Sequence, residues 1–378
     1  MITMKHCIAI LICFSAFCLV TGQTQTDTAF KKIIGEKPSC DCDSLWKKKD
    51  VSDFIELLER STSQPKFVWP GYHLNDGAYI ISAGQTAAGN HCLGLWQKGK
   101  VKSYARFHNT LRMLTPLYSY YLEYPEMSII PDELYFTTAA KVPEFKEWMR
   151  DMHVSSAVYM PVDFSKLPFK VPALVKLQLA IHEAFHIEVM LRYWYTNKGN
   201  WPAWDQQPDR SGMQSCYTYN DSDRIQIKKE LTILADMIEA LIDGQKVKAC
   251  ILGYSYLKER ESRYRKTSEV SVKLGDETEG DCKTAESFFE LEEGLADYGS
   301  WTLLYNMGMA SKEDLLRRYR AQQNDHFYLS GAMLMHAITL MDKKPIEQVI
   351  QKIINSPTVK EGSLLRFFQD ELANYCER

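Results

Sequence analysis

The rhythm of apolar and polar positions changes near residue 170. Before that point a loose leader (23–45) runs into a helix from about Ser44 to Arg60. From Lys66 to Phe107, Gly71, Gly77, Gly84 and Gly89 punctuate short apolar runs such as Ala78-Tyr79-Ile80-Ile81, a pattern of strands and loops. A helix is predicted from about Thr110 to Leu122. Strands follow near Leu134–Thr138 and Ser155–Val162, with a short helix around Pro143–Met152 between them. Beyond Pro172 the spacing turns helical: Val171–Tyr195, Asp223–Ile242, Gln245–Lys266, Thr284–Asn306, Lys312–Gln322, Leu329–Met341, and two shorter stretches at Ile346–Ile354 and Gly362–Tyr375. The pattern predicts an α+β chain, with a sheet-bearing N-terminal α/β lobe over 23–170 and a mostly helical lobe over 171–378. A cleft is expected where the central helix meets the sheet. There is no internal repeat and no low-complexity tract.

The first residues follow a different pattern. Lys5 precedes an apolar run from Cys7 to Val20, and small residues at 20–22 offer a cleavage site, so 1–22 reads as an export signal. The run is short for a membrane span, which needs roughly 20 apolar residues. No later segment is long and apolar enough either. The expected location is therefore secreted or extracytoplasmic, with no membrane association after signal cleavage.

A hydrophobic content of 45%, a charged content of 25% and a net charge of -3 are those of a globular enzyme. Without a basic block, the chain has no footprint for nucleic acid. Seven cysteines remain after the signal: Cys40, Cys42, Cys92, Cys216, Cys250, Cys282 and Cys376. In an oxidising compartment they allow up to three disulfides and one leftover thiol. Cys40 and Cys42 are too close in sequence to be obvious partners for each other, and no CxxC pair marks a zinc–cysteine site.

Chemistry concentrates in Ala180-Ile181-His182-Glu183-Ala184-Phe185-His186-Ile187. Residues four apart lie on one face of a helix, so the imidazoles of His182 and His186 can converge on one ion. A catalytic zinc takes three protein ligands and keeps a position for water. Glu183 lies to the side of that face, where it can reach the water without being a ligand, and serves as general base. Leu174, Leu177, Leu179, Ile181, Ile187, Val189 and Leu191 surround the motif, as in a helix buried within a fold.

A third ligand must come from elsewhere. Val189 and Arg192 stand where a metzincin would carry glycine and histidine. Further on, Glu286, Glu290, Glu293 and Asp297 recur at offsets of four, three and four on a predicted helix that also carries Phe288, Phe289, Leu291 and Leu295. His182–His186 followed by Glu293-Gly-Leu-Ala-Asp297 resembles the gluzincin peptidases, the group that includes thermolysin-like and membrane alanyl aminopeptidase-like enzymes. The resemblance implies a zincin-like fold, one Zn2+ per chain, and Glu293 as third ligand; Glu290, one turn earlier on the same face, is the alternative. It also implies that Asp297 is an acid orienting a zinc-bound histidine. Tyr328-Leu-Ser-Gly331 is similar to the Tyr-x-x-Gly segment of the aminopeptidase branch, which implies that Tyr328 stabilises an oxyanion; His326 competes for that role. The Gly-Ala-Met-Glu-Asn segment that recognises a substrate amino terminus in aminopeptidases is absent, and the interval from His186 to Glu293 is longer than in those branches.

The expected function is a secreted zinc metallopeptidase acting on a peptide or protein substrate. The strand Ser155–Val162, read as a sheet edge, is a candidate rail for an extended peptide. Two other functions fit the same residues: a zinc hydrolase of a non-peptide amide or ester, and a non-catalytic, zinc-stabilised binding protein. Glu183 argues against the latter, since a structural site has no use for an acid beside an open metal position.

Overall fold

A computed structural model describes residues 33–35, 37–62, 74, 77–108, 118–121, 136–138, 148–154, 156–162, 171–186, 216–217, 221–274, 278–321, 326–342, 346–356 and 362–378. The signal segment 1–22 lies outside the described residues. The chain is a mixed α+β protein that divides into two compact units. One comprises residues 1–67 and 71–189, the other residues 68–70 and 190–378. The His182 helix packs against elements of the first, sheet-bearing unit.

The first unit is built on a seven-stranded sheet of β1 (Ile33–Gly35), β2 (Ala78–Gln85), β3 (Asn90–Gln97), β4 (Lys100–His108), β5 (Tyr118–Tyr121), β6 (Phe136–Thr138) and β7 (Ser156–Pro161), in the order β1-β4-β3-β2-β7-β5-β6. The β2–β3–β4 stretch is an antiparallel meander. Its second turn is the two residues Lys98 and Gly99, both with positive φ (50° and 78°), the backbone that matches the twist of paired strands. β2 pairs parallel with β7, and β7 antiparallel with β5. Ile80, Leu93, Leu95, Ala105, Trp148 and Tyr159 form a buried cluster on this sheet. The Trp148 indole donates to Ser103 Oγ at 3.1 Å, which gives its one polar atom a partner inside the core.

Two sequence expectations fail here. Tyr118–Tyr121, assigned to the end of a helix, is a strand, because its three tyrosines lie along β7, where aromatic residues are favoured. Ser155–Val162 is no edge: β7 hydrogen-bonds to β2 on one side and β5 on the other, so its backbone is committed and offers no rail for a peptide.

The predicted helix over 44–60 is two helices, α1 (Asp43–Trp46) and α2 (Lys49–Thr62), and α2 buries Val51, Phe54 and Leu58 along one face. The Cys42–Cys92 disulfide ties α1 to β3. α3 (Ala173–Phe185) packs on α2 and β7. Lys176, 1% exposed, donates from Nζ to the Val162 carbonyl at 2.7 Å, which fixes the first turn of α3 to the chain leaving β7.

The second unit is helical. α4 (Asp221–Ile242) and α5 (Lys246–Lys266) form an antiparallel pair whose turn contains Gly244 at φ 69°. A two-stranded ribbon, β8 (Ser271–Leu274) with β9 (Thr278–Asp281), interrupts the helices and has no counterpart in the sequence reading. The stretch predicted as one helix over Thr284–Asn306 is three segments in one unbroken run: α6 (Cys282–Phe289), a π-helical turn over Glu290–Gly294, and α7 (Leu295–Asn306). α8 (Lys312–Tyr319) starts with a capping box of Ser311 and Asp314. α9 (His326–Met341) is buried over most of its length, and α10 (Ile346–Ile354) and α11 (Leu364–Glu377) complete the unit.

The disulfides Cys216–Cys282 and Cys250–Cys376 also lie in this unit, leaving Cys40 as an exposed free thiol. Three disulfides and one thiol are what the cysteine count allowed. With loops of 50, 66 and 126 residues, they contribute about 4 to 5 kcal/mol each by restricting the unfolded chain. Among the described residues, no helix is long and apolar enough to cross a membrane.

Candidate metal centre

Pro172, whose missing N–H costs nothing at a helix start, caps α3, which runs through Leu177, Leu179, Ala180, Ile181, Ala184 and Phe185, all buried. An apolar helix of this kind carries its few polar side chains where something must meet them. His182 and His186 are 4% and 7% exposed, while Glu183, between them in sequence, is only half-buried. The two imidazole Nε2 atoms face each other at 3.2 Å. Two zinc–nitrogen bonds at tetrahedral angles would hold them about 3.3 Å apart.

His182, His186 and Glu293 form a group whose ligand atoms all lie within 4.8 Å of one another, each residue buried. Two imidazole nitrogens and one carboxylate oxygen are the donor set of an open, catalytic-type metal site, and the residues present fit such an ion. Of the acids on the run from α6 to α7, the group takes Glu293. Glu290, the alternative, is engaged elsewhere: its Oε1 accepts from Arg260 at 2.6 Å and from Ser330 at 2.5 Å.

The π turn explains how neighbouring acids serve different partners. On an α-helix, Glu290 and Glu293 would lie near one another on one face. A turn closed by i→i+5 bonds takes in an extra residue and rotates them further apart. The four acids expected on one stripe therefore divide. Glu286 and Glu290 meet arginines of α5, Glu293 joins the histidines, and Asp297 accepts from Arg318 at 2.9 Å.

The arginine cluster was not anticipated. Arg260 and Arg263, 1% and 3% exposed, face Glu230, Glu286 and Glu290, with Tyr217, Tyr256, Tyr264 and His326 around them. Burial alone would raise the Glu286 carboxyl, but Arg263 and then Arg260 outweigh it and hold the group well below the ordinary carboxylate value. Glu290 moves the other way. Its burial and the Glu286 charge together exceed the help from Arg260 and push it up. Three carboxylates around two guanidiniums share the excess negative charge in this way.

The spacing that could have revealed this cluster is on α5. Ala249, Gly253, Tyr256, Arg260, Arg263 and Tyr264 are its buried positions, and the arginines simply continue that face.

The two oxyanion candidates separate as well. His326 Nε2 lies 3.1 Å from Glu286 Oε1, with its ring edge-on to Tyr217, so it belongs to the arginine cluster. Tyr328 is buried on α9, with its ring stacked on Phe327 at 5.3 Å. No known protein family, curated protein or solved structure matches this chain.

Proposed function

We propose that this protein is a secreted, zinc-dependent peptidase of gluzincin type and zincin-like fold, with His182, His186 and Glu293 as metal ligands and Glu183 as general base. The observation that carries the reading is the buried grouping of two histidines one helical turn apart with a distant glutamate. A zinc ion held there supplies a Lewis acid, making water nucleophilic near neutral pH and polarising a carbonyl. The rest is the work of the chain's own side chains. Glu183, half-buried beside the first ligand, accepts a proton from the attacking water and returns it to the leaving amine. Tyr328 donates a hydrogen bond to the developing oxyanion. Asp297, held by Arg318, orients a ligating imidazole. Three disulfides are compatible with an extracytoplasmic location.

The test is metal analysis and peptide-library cleavage of the purified protein beside Glu183→Gln and Glu293→Ala. Wild type should carry about one zinc per chain. Glu183→Gln should keep the metal and lose roughly 10²- to 10⁴-fold in cleavage rate, and Glu293→Ala should lose the metal. Iron in place of zinc would turn the reading towards oxygen chemistry, for which the same donor set serves. Zinc retained with no peptide cut would move it to a non-peptide amide or ester, or to a binding protein.

A further inference from the structure

Glu293 is held by a backbone conformation that is rare and needs support. Single π turns are less favourable than the α-helix they interrupt, and they persist where the surroundings fix them. Two features fix this one, both within the second unit.

The first is a close backbone crossing. A Cβ on Gly294 would come within 2.5 Å of Gly331 Cα, and a Cβ on Gly331 within 2.5 Å of the Glu290 carbonyl oxygen, so the π turn lies directly on the backbone of α9. The second is a polar clamp at the start of the turn. Arg260 Nη2 donates to Glu290 Oε1 at 2.6 Å, and Ser330, next to Gly331, donates to the same oxygen at 2.5 Å. Arg260 is in turn held by Tyr264 at 2.7 Å and by Tyr256. Glu290 is thereby fixed from α5 and from α9 at once, and Glu293 follows three residues later on the same turn.

We infer that Arg260 is a positioning residue for the metal centre: through Glu290 it holds the π turn in the register that presents Glu293 to the histidines. The inference rests on the metal-site reading. It also separates Arg260 from Arg263, one turn along α5, which is equally buried and equally paired. Arg263 binds Glu230 and Glu286 and does not touch the π turn. Losing either arginine's geometry should weaken the fold, but only Arg260 should govern the metal.

The experiment compares zinc affinity, measured by chelator competition, in wild type, Arg260→Lys and Arg263→Lys, with denaturant stability recorded alongside. Lysine keeps the charge and lacks the planar fork. Arg260→Lys should bind zinc about 10- to 100-fold more weakly, the range for residues that orient ligands from outside. It should also change the visible absorption of the cobalt-substituted protein. Arg263→Lys should lose stability while keeping its affinity within about threefold and its cobalt spectrum unchanged. Equal affinity losses in the two variants, or none in Arg260→Lys, would overturn the inference while leaving the metal site in place. A wild type that holds no metal would overturn the site reading and this inference with it. If Arg260→Lys does not fold, Ser330→Ala removes the other donor to Glu290 and leaves both arginines paired. It should weaken zinc about fivefold, the worth of one hydrogen bond, and unchanged affinity there would count against the clamp.

Discussion

Glu286, Glu290 and Glu293 stand on one unbroken run of helix, all at 5% exposure or less, and yet they meet different company. Glu286 and Glu290 are answered from within the chain by the guanidiniums of Arg260 and Arg263. Glu293 is gathered with two imidazole nitrogens, which in their metal-binding form offer lone pairs and no fixed positive charge. The same residue type at the same depth thus serves two ends. Where the chain brings its own cation, the carboxylate is structural; where it brings two imidazole nitrogens instead, the group could hold a metal ion. Burial and sequence spacing do not distinguish the two cases. The partner does.

Arg263→Met should give the largest effect that probes this contrast. It leaves buried carboxylates unanswered and should cost about 3–5 kcal/mol in denaturant unfolding. The loss should be the same with zinc added or with a chelator present. A loss seen only in the zinc-loaded protein would mean that the two clusters are one.

Next in size is the metal's own contribution. Zinc at a hundredfold excess over its dissociation constant should stabilise the protein by about 3 kcal/mol. Glu293→Gln should erase that increment while shifting metal-free stability by only about 1 kcal/mol. A large metal-free loss would place Glu293 with the structural acids.

The smallest effect is a pH dependence. The folded-state value of Glu286 is depressed, so its contribution is fully present above the ordinary value of 4.5 and is lost as pH falls below it. The stability gap between wild type and Glu286→Gln should therefore be flat from neutral pH to about 5 and then narrow by at most about 1.4 kcal/mol per pH unit. A gap that begins to narrow near pH 6 would show that the arginines do not hold this carboxyl down.

Much of the site could be read from the chain because its logic is local. His182 and His186, two members of the candidate metal group, need only a helix, and the apolar residues around them predict one that is buried. Glu293 could be singled out by the Glu-Gly-Leu-Ala-Asp context. The π turn could not, because an inserted residue leaves the pattern of apolar positions nearly unchanged, so four acids appeared to share one stripe. Sheet order was hidden for a related reason. That β7 lies between β2 and β5 is decided by pairings between distant segments, and no feature inside Ser156–Pro161 records them. The arginine cluster lay between these extremes. Its residues follow the buried face of α5, but charged side chains are seldom fully buried, so that spacing alone does not mark them as interior.

The contact of Gly294 with Gly331 bears on how this protein tolerates change. Natural selection, or a mutational scan scored by activity, sees only whether a variant works. Neither glycine has a side chain to offer a ligand or a proton, yet any larger residue at either position must drive two backbones apart at the turn that carries Glu293. Both positions should therefore be as intolerant as the proposed ligand His182 in such a scan, and a ranking by tolerance alone would place two residues with no chemistry beside the proposed metal ligands.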